Sequence, residues 1–281
     1  MKIYISMDME GLAGTFNWEQ EGGPDRKLVR QAMENQLTWV VEGIRESGAN
    51  EEVTEITVAD SHGQGDTVTY ALTELDERLH LISGCPRPSY MMPALSDQYS
   101  QVFLLGYHGA AGSQQASMDH TYSSRSIATI KLNGVTMSEA QLNAVYAGTF
   151  DIPVTFVTGD EALRLQLAED EYLKGATFVV TKEAIARFSC KSRPLGIVRQ
   201  ETKTAVAKVL SMKKEKFKPY EVKGPYELVV DLTASSKADV VNLMPSAERI
   251  GPRTIRIVQD DYHKIFDAIM AIAILAGRGR L

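Results

Sequence analysis

The chain has 281 residues, enough for one large α/β domain or two smaller ones, and its 44% hydrophobic content is ample for a core. A net charge of −6, with acidic and basic residues mixed and no basic stripe, argues against a nucleic-acid partner. The longest apolar stretch, Ala268 to Ala276, is far too short to span a bilayer, and Cys85 and Cys190 lack the spacing of a zinc knuckle or a disulfide framework. The first eight residues turn acidic at Asp8 and carry no small-residue cleavage site, so no secretory leader is expected and the expected location is the cytoplasm.

Residues 2–7 read as a short apolar strand, followed by a loop rich in glycine (Gly11, Gly14, Gly22, Gly23). The stripe Leu28, Ala32, Leu37, Val40, Val41 and Ile44 predicts a helix from about Asp25, with a stop near Gly48. Strands are expected at 55–59, 79–83 and 102–107, the last a continuous apolar run as in a strand covered on both faces. Residues 127–132 lead into Asn133-Gly134, a hairpin signal. Ser138 and Gln141 make a capping box for a helix to about Thr149, and 154–157 is again strand-like, ending at Gly159-Asp160. In the second half, 177–180 predicts a strand and 194–210 a helix. Residues 226–232 and 254–257 alternate as strands with one buried face do. A helix over about 260–275 closes the chain; its last turns are apolar all round, as in a buried helix or a subunit contact.

Strands separated by helices imply α/β: a mainly parallel sheet flanked by helices, with a second, smaller α/β domain. The expected division is a metal-binding α/β domain at 1–160 and, at 161–281, a smaller one supplying a pocket wall and oligomer contacts. Parallel sheets bind ligands beyond the carboxyl ends of their strands. Asp8, Glu10, His62 and His108 all follow predicted strands, and Glu139 opens the helix after the hairpin.

Each residue has an ordinary alternative. Asp8 and Glu10 suit helix caps, His62 suits a turn, and Glu139 suits the first turn of a helix. His108 follows a buried strand and needs some partner, while His120 lies in a polar loop. The coincidence of all of them carries the metal reading. Three carboxylates with two neutral imidazoles give −3; one divalent cation leaves −1, and two give +1, which a bridging hydroxide neutralises. The count favours a dinuclear site with about 3.5–4 Å between metals. Asp8 is the natural bridge, and the donor mix suits zinc, with manganese or cobalt as alternatives. His80, His263 and the methionine pairs read as structural. No Gly-x-Ser-x-Gly elbow or His-Glu-x-x-His helix is present, and Gly11-Leu12-Ala13-Gly14 is only a fragment of a dinucleotide fingerprint.

Met7-Asp8-Met9-Glu10-Gly11, Asp60-Ser61-His62, Gly106-Tyr107-His108, Met118-Asp119-His120 and Glu139 ahead of Leu142-Asn143-Ala144 together resemble the zinc-dependent D-aminopeptidase family associated with dipeptide-transport operons. Val157-Thr158-Gly159-Asp160 and Asn242-Leu243-Met244-Pro245 extend the likeness over nearly the whole length. The resemblance implies an aminopeptidase acting on short peptides, among them D-amino-acid peptides, with two Zn2+ per subunit. It implies metal ligands at Asp8, Glu10, His62, His108 and Glu139, a catalytic histidine at His120, and a ring-shaped homo-oligomer. Residues 14–30, Gly109-Ala110-Ala111 and Asp119 depart from the family pattern. Two other readings are kept. One is a different two-metal hydrolase, an amidohydrolase or a phosphoesterase, although no arginine or lysine stands out beside the motifs; the other is a non-catalytic binding module for small amino compounds.

Overall fold

The computed structural model describes residues 1–278. The chain runs through β1 (Lys2–Met7), α1 (Arg26–Glu46), β2 (Glu55–Asp60), β3 (Leu79–Ile82) and β4 (Gln101–Tyr107), then the hairpin β5 (Ile127–Leu132) and β6 (Val135–Thr136). It continues as α2 (Glu139–Gly148), β7 (Val154–Asp160), α3 (Glu161–Ala168), β8 (Thr177–Ala186), β9 (Ser189–Ser192) and α4 (Leu195–Leu210). Last come β10 (Tyr226–Leu232), α5 (Ser235–Val241), β11 (Glu248–Arg249), β12 (Thr254–Gln259) and α6 (Tyr262–Gly277).

The larger sheet has the order β3-β2-β1-β4-β7-β8-β9, parallel throughout except where β9 folds back on β8. Its central strands β4 and β7 are buried at every position, which explains their unbroken apolar character. Side-chain alternation divides them between two cores. Ile3, Ile5, Met7, Phe103 and Leu105 join the core under α1 and α4; Tyr4, Val102 and Leu104 join the core shared with α2, α6 and the second sheet. The helices α1 and α4 pack tightly, for a Cβ at Gly43 would sit 2.8 Å from the carbonyl of Lys203.

The smaller sheet, β11-β12-β10-β5-β6, is antiparallel. The two sheets draw strands from both sides of residue 160. The hairpin β5–β6 pairs with β10, and β8 with β9 extends the larger sheet. The short elements α3, α5 and β9 left no legible period. In α3 only Leu163 and Leu167 are buried, so the stripe is two residues long; the helix starts because the Asp160 carboxylate accepts from Leu163 N at 3.0 Å. No helix among the described residues is long and apolar enough to cross a membrane.

The direction of strand order reverses at β1: β2 and β3 lie on one side, and β4, β7 and β8 on the other. A crevice opens at such a switch point, beyond the carboxyl ends of the strands. Asp8 leaves β1 there, and His108 leaves β4.

Candidate metal centre

The segment after β1 is held hard against β4. Asp8 N donates to Leu105 O at 2.8 Å and Gly11 N to Gly106 O at 2.7 Å. A Cβ on Gly11 would lie 1.8 Å from Tyr107 O, so only glycine admits this approach. From below, Lys182 of β8 donates its ammonium to the carbonyls of Glu10 and Thr15 and to Thr15 Oγ1. Lys182 is fully buried, and burial lowers its ammonium to about 8. The backbone of Asp8 to Glu10 is thus fixed before any ligand arrives.

The five expected ligands and His120 come together. His62 Nδ1 lies 3.1 Å from both Asp8 Oδ1 and Glu10 Oε2. His108 Nε2 is 3.5 Å from Asp8 Oδ2 and 3.7 Å from Glu139 Oε1. His120 Nε2 is 3.4 Å from Glu139 Oε1 and 3.7 Å from Glu10 Oε1, and its ring stacks on His108 with centroids 4.3 Å apart. Two triplets, Asp8-Glu10-His108 and His108-His120-Glu139, present ligand atoms within 4.8 Å of one another. Distance alone therefore does not separate His120 from the ligands. His120 lines the cavity together with Asp8, Glu10, His62 and Glu139, and His108 is not part of its lining.

The local sequence orients each donor. Nδ1 of His108 donates to Gly109 O at 2.9 Å and Nδ1 of His120 to Met118 O at 3.0 Å, which leaves both Nε2 atoms facing the carboxylates. The capping box expected at Ser138 and Gln141 forms, so Glu139 is the first residue of α2. Its carboxylate serves more than the helix dipole, since it accepts from Tyr122 N at 2.6 Å and is buried. Met118 and Tyr122, on either side of His120, have φ of +53° and +59°, a conformation uncommon outside glycine and often found at functional loops.

Burial and crowding set the charges. Burial and the neighbouring Glu10 charge push the Asp8 carboxyl well up. Burial also opposes ionisation of Glu10, but the surrounding imidazoles, His62 first, outweigh it and hold Glu10 well below the usual range. For His108 burial works downward, yet Glu139 raises it to about 10. Burial and then the charge on His108 lower His120.

The donor set fits a metal. Among the described residues, six buried side-chain polar atoms lack a hydrogen-bond partner, and four belong to this cluster: Asp8 Oδ2, Glu10 Oε2, His62 Nε2 and His108 Nε2. The contact from His62 Nε2 to Glu21 Oε2, 3.0 Å, is a charge contact without hydrogen-bond alignment. Buried polar atoms are costly when unpaired, and Asp8, Glu10 and His108, which carry three of the four, form one of the two triplets able to hold a cation, whereas His62 is in neither triplet and turns its Nε2 toward Glu21. Oxygen and imidazole nitrogen together suit zinc chemistry.

Several residues at the site gave no sequence signal. Trp18 and Glu21 come from a 3-10 turn at Trp18–Glu21, inside the stretch that departs from the family pattern. Trp18 Nε1 donates to Glu10 Oε1 at 2.7 Å, and its ring meets His120 edge-on. An arginine does line the cavity: Arg125, five residues after His120. Lys182 lies past the expected end of its strand at residue 180. The Asn17–Gln20 capping box was the one legible sign of the Trp18 turn. Asp60 Oδ2 accepts from Thr67 N and Val68 N, and Asp119 pairs with Arg187 at 3.1 Å. His80 is exposed on β3, His263 bonds Thr149 Oγ1 at 3.0 Å, and Met7, Met9, Met91 and Met92 are buried in the cores.

Residues 1–271 match the peptidase family M55, described as D-aminopeptidase. The D-aminopeptidase of Bacillus subtilis (strain 168) is 29% identical over 283 residues, covering 99% of this chain and 98% of the relative. A solved structure, described as the Zn-dependent D-aminopeptidase DppA from Bacillus subtilis, a self-compartmentalizing protease, superposes with a TM-score of 0.91 at 26% identity and covers the whole of both chains.

Proposed function

The chain belongs to the D-aminopeptidase family of peptidases, and from that premise we propose that it is a zinc-dependent aminopeptidase that removes the N-terminal residue from short peptides, D-residue peptides among them. The observation that carries the reading is the convergence of orphaned buried donors at the switch point of the parallel sheet. In this reading Asp8, Glu10, His62, His108 and Glu139 would hold two zinc ions per chain. The charge count supports two: three buried carboxylates exceed what one divalent cation neutralises.

Zinc bound there supplies Lewis acidity to the scissile carbonyl and lowers the pKa of a water toward about 7. The chain's own residues do the rest. His108 Nδ1 and His120 Nδ1 stay on backbone carbonyls, which fixes their tautomers. His120 Nε2, at the cavity wall, stabilises the developing oxyanion or carries a proton to the leaving amine. Trp18 holds Glu10 in place, and Lys182 holds the backbone beneath it. The cavity, about 330 Å³, suits a small peptide rather than a folded chain. A ring-shaped homo-oligomer, with this cavity opening to an enclosed space, would admit only short peptides; the self-compartmentalizing relative supports that assembly.

The test is release of the first residue from dipeptides beginning with a small D-residue and from their L-counterparts. We expect the zinc-loaded protein to cleave the D-peptides faster, to stop on chelation and to recover when zinc returns. Failure of the zinc-loaded protein to cleave either series would overturn the reading.

A further inference from the structure

We propose that Arg125 binds the free C-terminal carboxylate of the substrate and so makes dipeptides and other very short peptides with an unblocked C-terminus the favoured class. This rests on the aminopeptidase reading above and extends it to the far end of the peptide.

Among the described residues Arg125 is the only arginine or lysine lining the 330 Å³ cavity, whose charged lining is otherwise Asp8, Glu10, Glu21 and Glu139. Among the described residues its guanidinium has no hydrogen-bond or ion-pair partner. An exposed arginine on a loose loop would mean little, but this loop is pinned. The carbonyl of Arg125 accepts from Thr233 Oγ1 at 2.8 Å and from the Lys237 ammonium. Thr233 N donates to Ser126 O at 3.0 Å, and Ile127 N to Ser123 O at 2.9 Å. At the other end of the loop, Tyr122 N is bonded to Glu139. One short segment therefore carries both His120 and Arg125, fixed to the metal cluster at one end and to the second sheet at the other.

The chemistry follows from the charges. A free dipeptide is a zwitterion. In the zinc-loaded centre two cations would offset Asp8, Glu10 and Glu139, and the guanidinium of Arg125 is then the one cationic side chain of the cavity, among the described residues, left to meet the peptide's carboxylate. A guanidinium takes a carboxylate through two parallel hydrogen bonds, which fixes orientation as well as adding affinity. A peptide whose C-terminus is blocked or far away gains nothing from it.

The experiment compares a dipeptide acid with its C-terminal amide as substrates of the zinc-loaded wild type, Arg125→Ala and Arg125→Lys. We expect the wild type to favour the acid by about tenfold in kcat/KM, chiefly through KM. Arg125→Ala should bring the acid down to the amide's value and leave the amide unchanged, and Arg125→Lys should recover part of the preference. Calorimetry with a reduced-bond dipeptide acid, which is not cleaved, should show binding about tenfold weaker in Arg125→Ala. Equal wild-type rates on acid and amide, an equal loss on both in Arg125→Ala, or unchanged calorimetric affinity would overturn the proposal while leaving aminopeptidase activity standing. Cleavage of neither substrate by the wild type would instead overturn the aminopeptidase reading, and this one with it.

Discussion

Replacing His120 by alanine is expected to lower turnover on the order of 100-fold or more while zinc content stays at the wild-type level. The expectation comes from placement. Its Nδ1 is committed to Met118 O, its ring is clamped between His108 and Trp18, and its Nε2 faces the carboxylates from the cavity wall. A group so held reaches a reacting atom without reorganising. The same distances would also let His120 coordinate, because it lies as close to Glu139 as His108 does. Zinc content separates the roles. Lost turnover with full zinc makes His120 a catalytic residue; lost zinc makes it a ligand and removes it from proton transfer.

Replacing Asp8 by asparagine is expected to empty the centre. The two oxygens of Asp8 point to different partners, Oδ1 toward His62 and Oδ2 toward His108, so the carboxylate faces both halves of the cluster. Asparagine keeps the shape but removes the charge and one donor oxygen. If Asp8 is a ligand to both cations, zinc should fall below one per chain and activity should drop by at least about 100-fold. A ligand that binds only the folded state raises its melting point. Adding zinc should therefore raise the Tm of the stripped wild type and leave that of Asp8→Asn unmoved. Full zinc retention in the variant would show that Asp8 is no bridge.

The sequence made the candidate ligands visible because strands end abruptly in composition. Apolar runs stop at Asp8, at Asp60 two residues before His62, and at His108, and a parallel sheet gathers such ends along one edge. The capping box marked Glu139 for a similar local reason. What stayed hidden depends on contacts between distant segments. Lys182 is separated by 172 positions from the Glu10 carbonyl it holds, and nothing in the residues after 180 marks that reach. Trp18 arrives through a short 3-10 turn with no periodic stripe, and Arg125 matters only because its loop is pinned to a second sheet. That sheet takes β5 and β6 from the first half of the chain, a pairing set by non-local contacts and not by the hairpin signal itself. The burial of α2 from Glu139 to Ala147 erased the one-sided stripe by which helices are usually read.

We propose that acidic and imidazole side chains just beyond β1, β2 and β4, with Glu139 of α2, together hold a pair of cations. The most direct test is elemental analysis of wild-type protein, stripped with chelator, reloaded with zinc and freed of excess by gel filtration. We expect about two zinc ions per chain; one or none would rule out a dinuclear centre.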